Sequence, residues 1–349
     1  ICRKNYTSST WRAFPLVPGG SFTRQSAGCS VIASFADRPY SRKRFAEIVA
    51  YARFHNPFYS RWIKDPNNPP ILDRATCLEY NDEILGGHPV TGVTSGSTGV
   101  PVRFSHSDAW ERMARRDIAR FVKRIGGRVP TAHLVYSEGA GRADIFDVGR
   151  PMDEQINFIL RRQREAGTVA VTTYPSNATI LCQAVIDRDM DMSFISRFGM
   201  YAEAVEQYHR DLVRQAFPNA KIWTTYSAKE VGMIAWMCPY EPTYHHVTAH
   251  RLGVEILRDD GVPARDGERG RVVVTDFFNT SSPFIRYELG DLAVPGTCRC
   301  GRFKAPALKR ILGKVVGTLL HRDGHRVIYS DLSASLRGIA GIRQYQVVQ

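Results

Sequence analysis

The stretch "VTSGSTGVPVRF", residues 93–104, decides how the rest of the chain is read. A block of Thr, Ser and Gly lies between short apolar segments. Glycines let the backbone come close to a ligand, so that several N–H groups converge, and hydroxyls add further donors. Such a loop suits a polyanion, above all the triphosphate tail of a nucleotide. It is not a Walker A loop, because no Gly-Lys-Ser/Thr follows at the required spacing. A plain flexible turn has the same composition, so residue content alone leaves both readings open.

The surrounding composition narrows the class. A chain of 349 residues is long for one core and suggests one large domain or two. No apolar run approaches the ~20 residues that span a membrane. The opening "ICRKNYTSST" lacks an initiator Met and a signal-peptide apolar segment, so Ile1 is not expected to be the first encoded residue. The net charge of +13 reads as a solvated basic surface, or as a field that attracts nucleotide, carboxylate, coenzyme A or nucleic acid. No basic run is interleaved with aromatics as single-strand binding favours. The run "ARRDIARFVKR" (114–124) has apolar residues at helical spacing and reads as one wetted helix face. Seven cysteines without a secretion signal imply reduced thiols and a cytoplasmic location. Cys2, Cys29, Cys77 and Cys182 are scattered, whereas Cys298 and Cys300 stand together in "TCRCGR".

Periodicity predicts an α/β fold. Residues 41–63 read as helix broken at Pro57, and "NNPP" (67–70) as a loop. A second helix follows the quoted loop, with Ser107 as its cap and Trp110, Met113, Asp117, Phe121 and Arg124 on successive turns. The segments 131–137, 167–175 and 220–227 suit buried strands, and 200–216 reads as helix with Tyr201, Val205, Tyr208 and Leu212 on one face. Strand and helix in alternation predict layering around a largely parallel sheet. After residue 250, "GVEILRDDG" and "GRVVVTDFF" predict a β meander. Residues 313–349 carry new β and helix signals after a Gly-rich passage.

The string "TSGSTGVP" resembles the phosphate-binding signature of the adenylate-forming superfamily: acyl-CoA synthetases, luciferases and peptide-synthetase adenylation domains. Val102 stands where most members carry Lys, which is similar to the branch like phenylacetate–CoA ligase; Arg103 is not assumed to replace that Lys. Further segments resemble that branch in the same order. They are "HNPFYSRWI" (55–63), "TTYPSNATIL" (172–181), "TYSAKEVG" (225–232), "PFIRYELGDL" (283–292) and "RILGK" (310–314). The resemblance covers roughly residues 45–330. It implies a large adenylate-forming domain over 1–312, with layered sheets, helices and a β meander. Residues 313–349 are then the start of a small, incomplete C-terminal lid domain; the family's catalytic Lys is expected either on a lid that continues past Gln349 or, in a shortened member, not at all.

The resemblance also implies roles. Thr94, Ser95, Gly96, Ser97, Thr98 and Gly99 hold the β and γ phosphates of ATP, with Thr94 counted among the catalytic groups. Tyr226 lies against adenine, or is a core Tyr at a strand end. Glu230 binds Mg2+, or caps a strand-to-helix junction. Asp291 accepts from both ribose hydroxyls, which two carboxylate oxygens suit, or is a turn Asp after Gly290. Lys314 contacts ribose or phosphate, with Arg310 the alternative. "FGMYAE" (198–203) stands at the adenine-side "GGE" position and keeps only Gly199. Ser227 replaces a Gly. Lys229 replaces a hydroxyl residue, where it is expected to compete for the Glu230 carboxylate. The hinge acid is replaced by Val315, Val316 and Gly317.

A metal clip is implied by the same likeness. "CPYEPTYHH" (238–246) and "CRCG" (298–301) match the zinc ligands of some enzymes of the branch, which assigns Cys238, His245, Cys298 and Cys300, with His246 the competing ligand. Three thiolates and an imidazole suit tetrahedral Zn2+.

The function expected is ATP-dependent activation of an aryl carboxylic acid as acyl-adenylate, then transfer to coenzyme A or a carrier-protein thiol. Tyr136, Phe146, Trp223 and Trp236 are candidates for an acyl pocket, or for core. The alternative is a nucleotide- or acyl-adenylate-binding protein with little turnover. A third reading, a zinc-bearing nucleic-acid binder, rests on charge alone. A homodimer is among the expected states, and no membrane partner is expected.

Overall fold

The helical pattern over 41–63 divides where the sequence places its proline. In the computed structural model α1 spans Pro39–His55 and α2 Pro57–Trp62. Pro57 has no N–H with which to continue α1, but its fixed φ suits the first turn of a new helix. Asn56 between them accepts from the Tyr59 N–H and donates to the Glu83 and Ile84 carbonyls at 2.9 and 3.1 Å. The structure describes residues 39–94, 100–136, 142–314, 319–320 and 326–327. Ser95, Gly96, Ser97, Thr98, Gly99, Cys2, Cys29, Val315, Val316, Gly317 and most of the expected lid lie outside the described residues.

Two short helices, α3 (Arg74–Glu79) and α4 (Asn81–Leu85), lead to a two-stranded hairpin of β1 (Gly92–Val93) and β2 (Arg103–Phe104). Helix α5 (Asp108–Arg124) follows, and Ser107 caps it as expected, its Oγ accepting from the Trp110 N–H at 3.2 Å. Then β3 (Thr131–Val135), β4 (Ile145–Asp147), α6 (Met152–Ala166), β5 (Val169–Thr173), α7 (Pro175–Asp187), β6 (Ile195–Met200), α8 (Gln207–Ala216) and β7 (Lys221–Ala228) give the alternation that the periodicity predicts. The last strands are β8 (Gly232–Met237), β9 (His245–Val247), β10 (Leu252–Leu257), β11 (Gly270–Asp276), β12 (Tyr287–Gly296), β13 (Ala307–Lys314), β14 (Leu319–Leu320) and β15 (Arg326–Val327).

One expected helix is shorter than its pattern. Residues 200–206 are not helical: Met200 ends β6, and α8 starts only at Gln207. Glu206 stops the helix from extending backwards, because its side chain and that of His209 cap the first turn reciprocally. The buried face is consequently His209, Arg210, Val213 and Ala216 rather than Tyr201, Val205, Tyr208 and Leu212.

An eleven-stranded sheet runs β10-β11-β12-β13-β9-β8-β7-β6-β5-β3-β4. The pairs from β7 to β4 are parallel and all the others antiparallel. Strand β7 is thus the seam, parallel to β6 on one side and antiparallel to β8 on the other. Helices cover the parallel half, which buries Leu134, Ile159, Val171, Leu181 and Phe198. The antiparallel half buries Tyr59, Leu72, Tyr226, Ile234, Val272 and Phe284.

Buried charge ties the antiparallel half together. Arg286, in the "PFIRY" segment, has a φ of 48°. From there Nε and Nη2 reach the two Glu255 oxygens at 3.0 and 3.1 Å, and Nη1 donates to the Pro69 carbonyl at 2.7 Å. Glu255 is 1% exposed and Arg286 6%. Removing one partner of such a pair strands the other charge without solvent. Glu255→Ala is therefore expected to cost about 3–5 kcal/mol, read as a lowered urea midpoint with unchanged slope.

Candidate functional site

The base of the phosphate-type loop is closed by its own flanks. The Thr94 N–H donates to the Val102 carbonyl, and the Val102 N–H donates to Thr94 Oγ1, both at 3.0 Å. The Thr94 hydroxyl oxygen therefore ties the two flanks of the loop together. Val102, at the position of the missing Lys, is fully buried. Arg103 turns away to Asp82 Oδ1 at 2.7 Å and does not take over from that Lys. Beyond the hairpin, the Ser105 carbonyl accepts from Ser282 Oγ at 2.9 Å and Asn279 Nδ2 at 3.0 Å, fastening β2 to the connection before β12.

Three expected residues come together at the seam strand. Tyr226, on β7, donates its hydroxyl to Asp291 Oδ2 at 2.7 Å. Asp291, on β12, pairs in register with Lys314 on β13. Lys314 Nζ lies 3.4 Å from Asp291 Oδ1 and donates to the Leu289 carbonyl at 2.8 Å. Burial raises the Tyr226 hydroxyl pKa well above its ordinary value, and the Asp291 charge adds to this, so the proton stays on the phenol. Asp291 is thus an acceptor held in place by Tyr226 and Lys314.

Glu230 does not cap a helix. It lies in the turn between β7 and β8, two antiparallel strands. Its side chain is buried, 8% exposed. Burial pushes its pKa up, and Asp291 pushes the same way, while Lys314 and Arg74 oppose. Lys229, the expected competitor, is exposed and forms no ion pair among the described residues. His106 holds the turn: its Nε2 donates to the Glu230 carbonyl at 2.7 Å, and its ring stacks on Trp110 at 3.4 Å.

Gly199 has a packing reason. A Cβ there would lie 2.2 Å from Trp223, whose ring covers the glycine. The four expected acyl-pocket aromatics do not share one set of neighbours. Tyr136 is exposed and stacks on Tyr174, Phe146 on Phe158, Trp223 meets Phe121, and Trp236 meets His246 and Phe303.

The cysteine group forms as expected, with one exchange. Cys238, His246, Cys298 and Cys300 bring one donor atom each within 4.8 Å of one another. His246 Nε2 is 3.6 Å from Cys300 Sγ. His246 Nδ1 faces the Ala305 carbonyl at 3.3 Å and must donate there, which leaves the Nε2 lone pair toward the thiols. His245, the ligand expected from the likeness, is corrected to His246. Neighbours on a strand point to opposite faces, and on β9 His245 turns inward, its Nε2 2.6 Å from Thr224 Oγ1. Burial lowers its pKa to about 3. Three soft sulfurs and one imidazole fit a closed tetrahedral metal site.

Arg74 escaped the sequence reading. It sits at the start of α3, is half-buried, and donates to the Val100 carbonyl at 2.7 Å, immediately after the loop. In "DRATCLE" nothing distinguishes it from any basic residue in a first helical turn. His106 was missed too, because its function is to hold a backbone carbonyl far off in sequence.

No family model matches the chain, and no curated protein matches its sequence. Solved structures match its fold. An open conformation of 2-hydroxyisobutyryl-CoA ligase, in complex with 2-HIB-AMP and CoA, is 20% identical, with a TM-score of 0.68 over 86% of this chain and 79% of that one. The same ligase in the postadenylation state with R3-HIB-AMP gives a TM-score of 0.70 at 20% identity, covering 89% of this chain and 74% of that one. ATP-bound MatB from Rhodopseudomonas palustris gives 0.50 at 15% identity, covering 72% and 52%. The architecture is that of the adenylate-forming CoA ligases, in agreement with the sequence resemblance. Among the described residues, no helix is long and apolar enough to cross a membrane.

The buried Glu230 carries a pH signature. Its folded pKa lies above the ordinary 4.5, so the native state keeps a proton that the unfolded chain has lost. The stability due to that proton is full below pH 4.5 and is lost as pH rises through the raised value. In ligand-free protein, Glu230→Gln is expected to flatten the fall in unfolding midpoint as pH rises above 4.5.

Proposed function

We propose that this chain activates a carboxylic acid with ATP, forming an acyl-adenylate and releasing pyrophosphate. The observation that carries the reading is the Tyr226–Asp291–Lys314 cluster, with buried Glu230 electrostatically coupled to it. Asp291 takes the two ribose hydroxyls, and the Tyr226 hydroxyl fixes the carboxylate so that both oxygens are aimed before the nucleotide arrives. Thr94 holds the neck of the loop whose residues 95–99 receive the β and γ phosphates. A substrate carboxylate oxygen attacks the α-phosphorus, the bond to the pyrophosphate oxygen breaks, and its electron pair leaves with pyrophosphate. Much of the rate then comes from orientation and from charge already in place. Glu230 is the residue that would hold Mg2+, which supplies charge neutralisation on the departing phosphates.

An aryl acid as substrate, and coenzyme A or a carrier-protein thiol as acceptor, remain the proposed classes on the sequence resemblance. One structural neighbour is a 2-hydroxyisobutyryl-CoA ligase in complex with 2-HIB-AMP and CoA, so 2-hydroxyisobutyrate belongs in the same panel. A second reading has one observation in its favour. Burial favours the neutral form of Glu230, which weakens it as a metal ligand until a cation displaces the proton. A binding protein with little turnover follows if that displacement does not occur.

Pyrophosphate exchange with the complete gene product over the acid panel separates the two. Acid-dependent exchange supports activation; tight binding of a non-hydrolysable acyl-adenylate mimic without exchange supports the second reading. Asp291→Ala removes charged hydrogen-bond acceptors worth about 1.5–3 kcal/mol, so ATP affinity is expected to fall about 10- to 100-fold by calorimetry. Unchanged affinity overturns the nucleotide assignment.

Cys238, His246, Cys298 and Cys300 are the residues that would hold structural Zn2+. Metal analysis is expected to find zinc in the wild type and after His245→Ala, and to find it lost after His246→Ala or Cys298→Ser.

A further inference from the structure

A cavity of about 280 Å³ opens beside the C-terminal half of α5, away from Tyr226. Cross-strand pairing places it: Tyr226 pairs with Ala235 and Thr225 with Trp236, so the Trp236 ring leaves the sheet from the face opposite Tyr226. Trp236 and Phe303 line the cavity and meet edge to face, with centroids 4.7 Å apart. Arg124, Arg302, Lys304 and His250 complete one side. The Arg124 guanidinium lies 4.5 Å from the Trp236 centroid and 5.9 Å from that of Phe303.

Charge in this cavity is unbalanced. Its one acid, Asp117, is already engaged by Arg251 at 3.0 Å and His250 at 2.6 Å. Arg124, Arg302 and Lys304 form no ion pair among the described residues. Arg124 is held below its ordinary pKa by burial and by the neighbouring Arg120, so an anion here would relieve repulsion already present. The volume is just under the roughly 300–1,000 Å³ that encloses a drug-sized ligand. It suits a ring and a phosphate rather than a whole acyl-adenylate. The aromatic corner argues for a planar group beside the anion.

We propose that this cavity is a second nucleotide site, separate from the Tyr226–Asp291 cluster. Arg124, Arg302 and Lys304 take a phosphate monoester, and the Trp236–Phe303 corner takes the attached base. The inference is independent of adenylation. The same chemistry is offered by a free mononucleotide and by the phosphorylated adenosine head of coenzyme A.

The test is calorimetry with adenosine 3′,5′-bisphosphate on the full chain at low salt. The wild type is expected to bind it, and Arg124→Ala/Arg302→Ala to bind at least about tenfold more weakly, since charge-assisted hydrogen bonds are lost. Lys304→Glu reverses an exposed charge and is expected to weaken binding without loss of fold. Asp291→Ala is expected to leave bisphosphate binding unchanged while ATP binding falls. Competition names the source. Displacement by coenzyme A but not by its dephospho form points to the coenzyme head, and equal displacement by AMP points to a free nucleotide. Absence of binding to the wild type, wild-type affinity in both charge variants, or loss of bisphosphate binding in Asp291→Ala overturns the proposal.

Discussion

Arg251 is a fully buried arginine, and the geometry around the candidate site hangs from it. Its guanidinium meets Asp117 on α5 at 3.0 Å, Asp276 on β11 at 3.1 Å and the Met233 carbonyl on β8 at 3.0 Å. Trp110 Nε1 donates to the same Asp276 oxygen at 2.6 Å. Burial alone would push the Asp117 pKa up, but His250 and Arg251 hold it below its ordinary range. A buried charge left unpaired costs several kcal/mol, so helix and sheet can pack here only with every partner present. That requirement fixes where α5 starts. Trp110 carries His106 on its face, and His106 in turn grips the Glu230 carbonyl. A chain of contacts thus runs from a salt-bridge network to the turn on which the candidate metal carboxylate sits.

The change of strand direction at β7 explains why the polar groups meet where they do. Parallel strands need helical crossovers, so the parallel half is clothed in helices and its core is apolar. Antiparallel neighbours need only turns, so β8 returns beside β7 through a short turn, and the Tyr226 side chain reaches Asp291 on β12 further along the same sheet. Tyr226, Glu230, Asp291 and Lys314 come from strands and turns at this junction, three of them from the long antiparallel half. The nucleotide chemistry proposed above needs groups of opposite sign within a few ångströms. A seam between two sheet styles supplies them without burying any of them in the middle of a helix layer.

Much of this was legible in the sequence because local order carried it. The apolar runs 131–137, 167–175 and 220–227 became β3, β5 and β7; Pro57 divided α1 from α2; and Ser107 capped α5. The motif pair Tyr226 and Asp291 proved to share a hydrogen bond across 65 residues. What failed did so for tertiary reasons. Residues 200–206 looked helical because Tyr201 and Val205 fit the period, yet β6 claimed Met200 for the sheet. The alternative role for Glu230, a cap, fell because a helix commonly follows such a strand, and here another strand does. Arg251 gave no sign of burial, since its partners Asp117 and Asp276 lie 134 and 25 residues away. The aromatic quartet was chosen by residue type, and type does not say which face a ring occupies.

The two adjacent histidines of β9 act as a gauge of strand register. His246 stands opposite Trp236 and Ala307, and His245 opposite Met237 and Leu308. Sliding β9 by one position would send a bare imidazole from the Thr224 hydroxyl toward the three sulfurs and bury the other where no acceptor awaits it. Both rings are nitrogen heterocycles of identical size, so shape gives no discrimination between the two alignments. Only the polar partners do: Ala305 and the thiols on one side, Thr224 on the other. Two identical neighbours in the sequence are made inequivalent by what each finds across the strand, and the short strand is thereby locked against slippage.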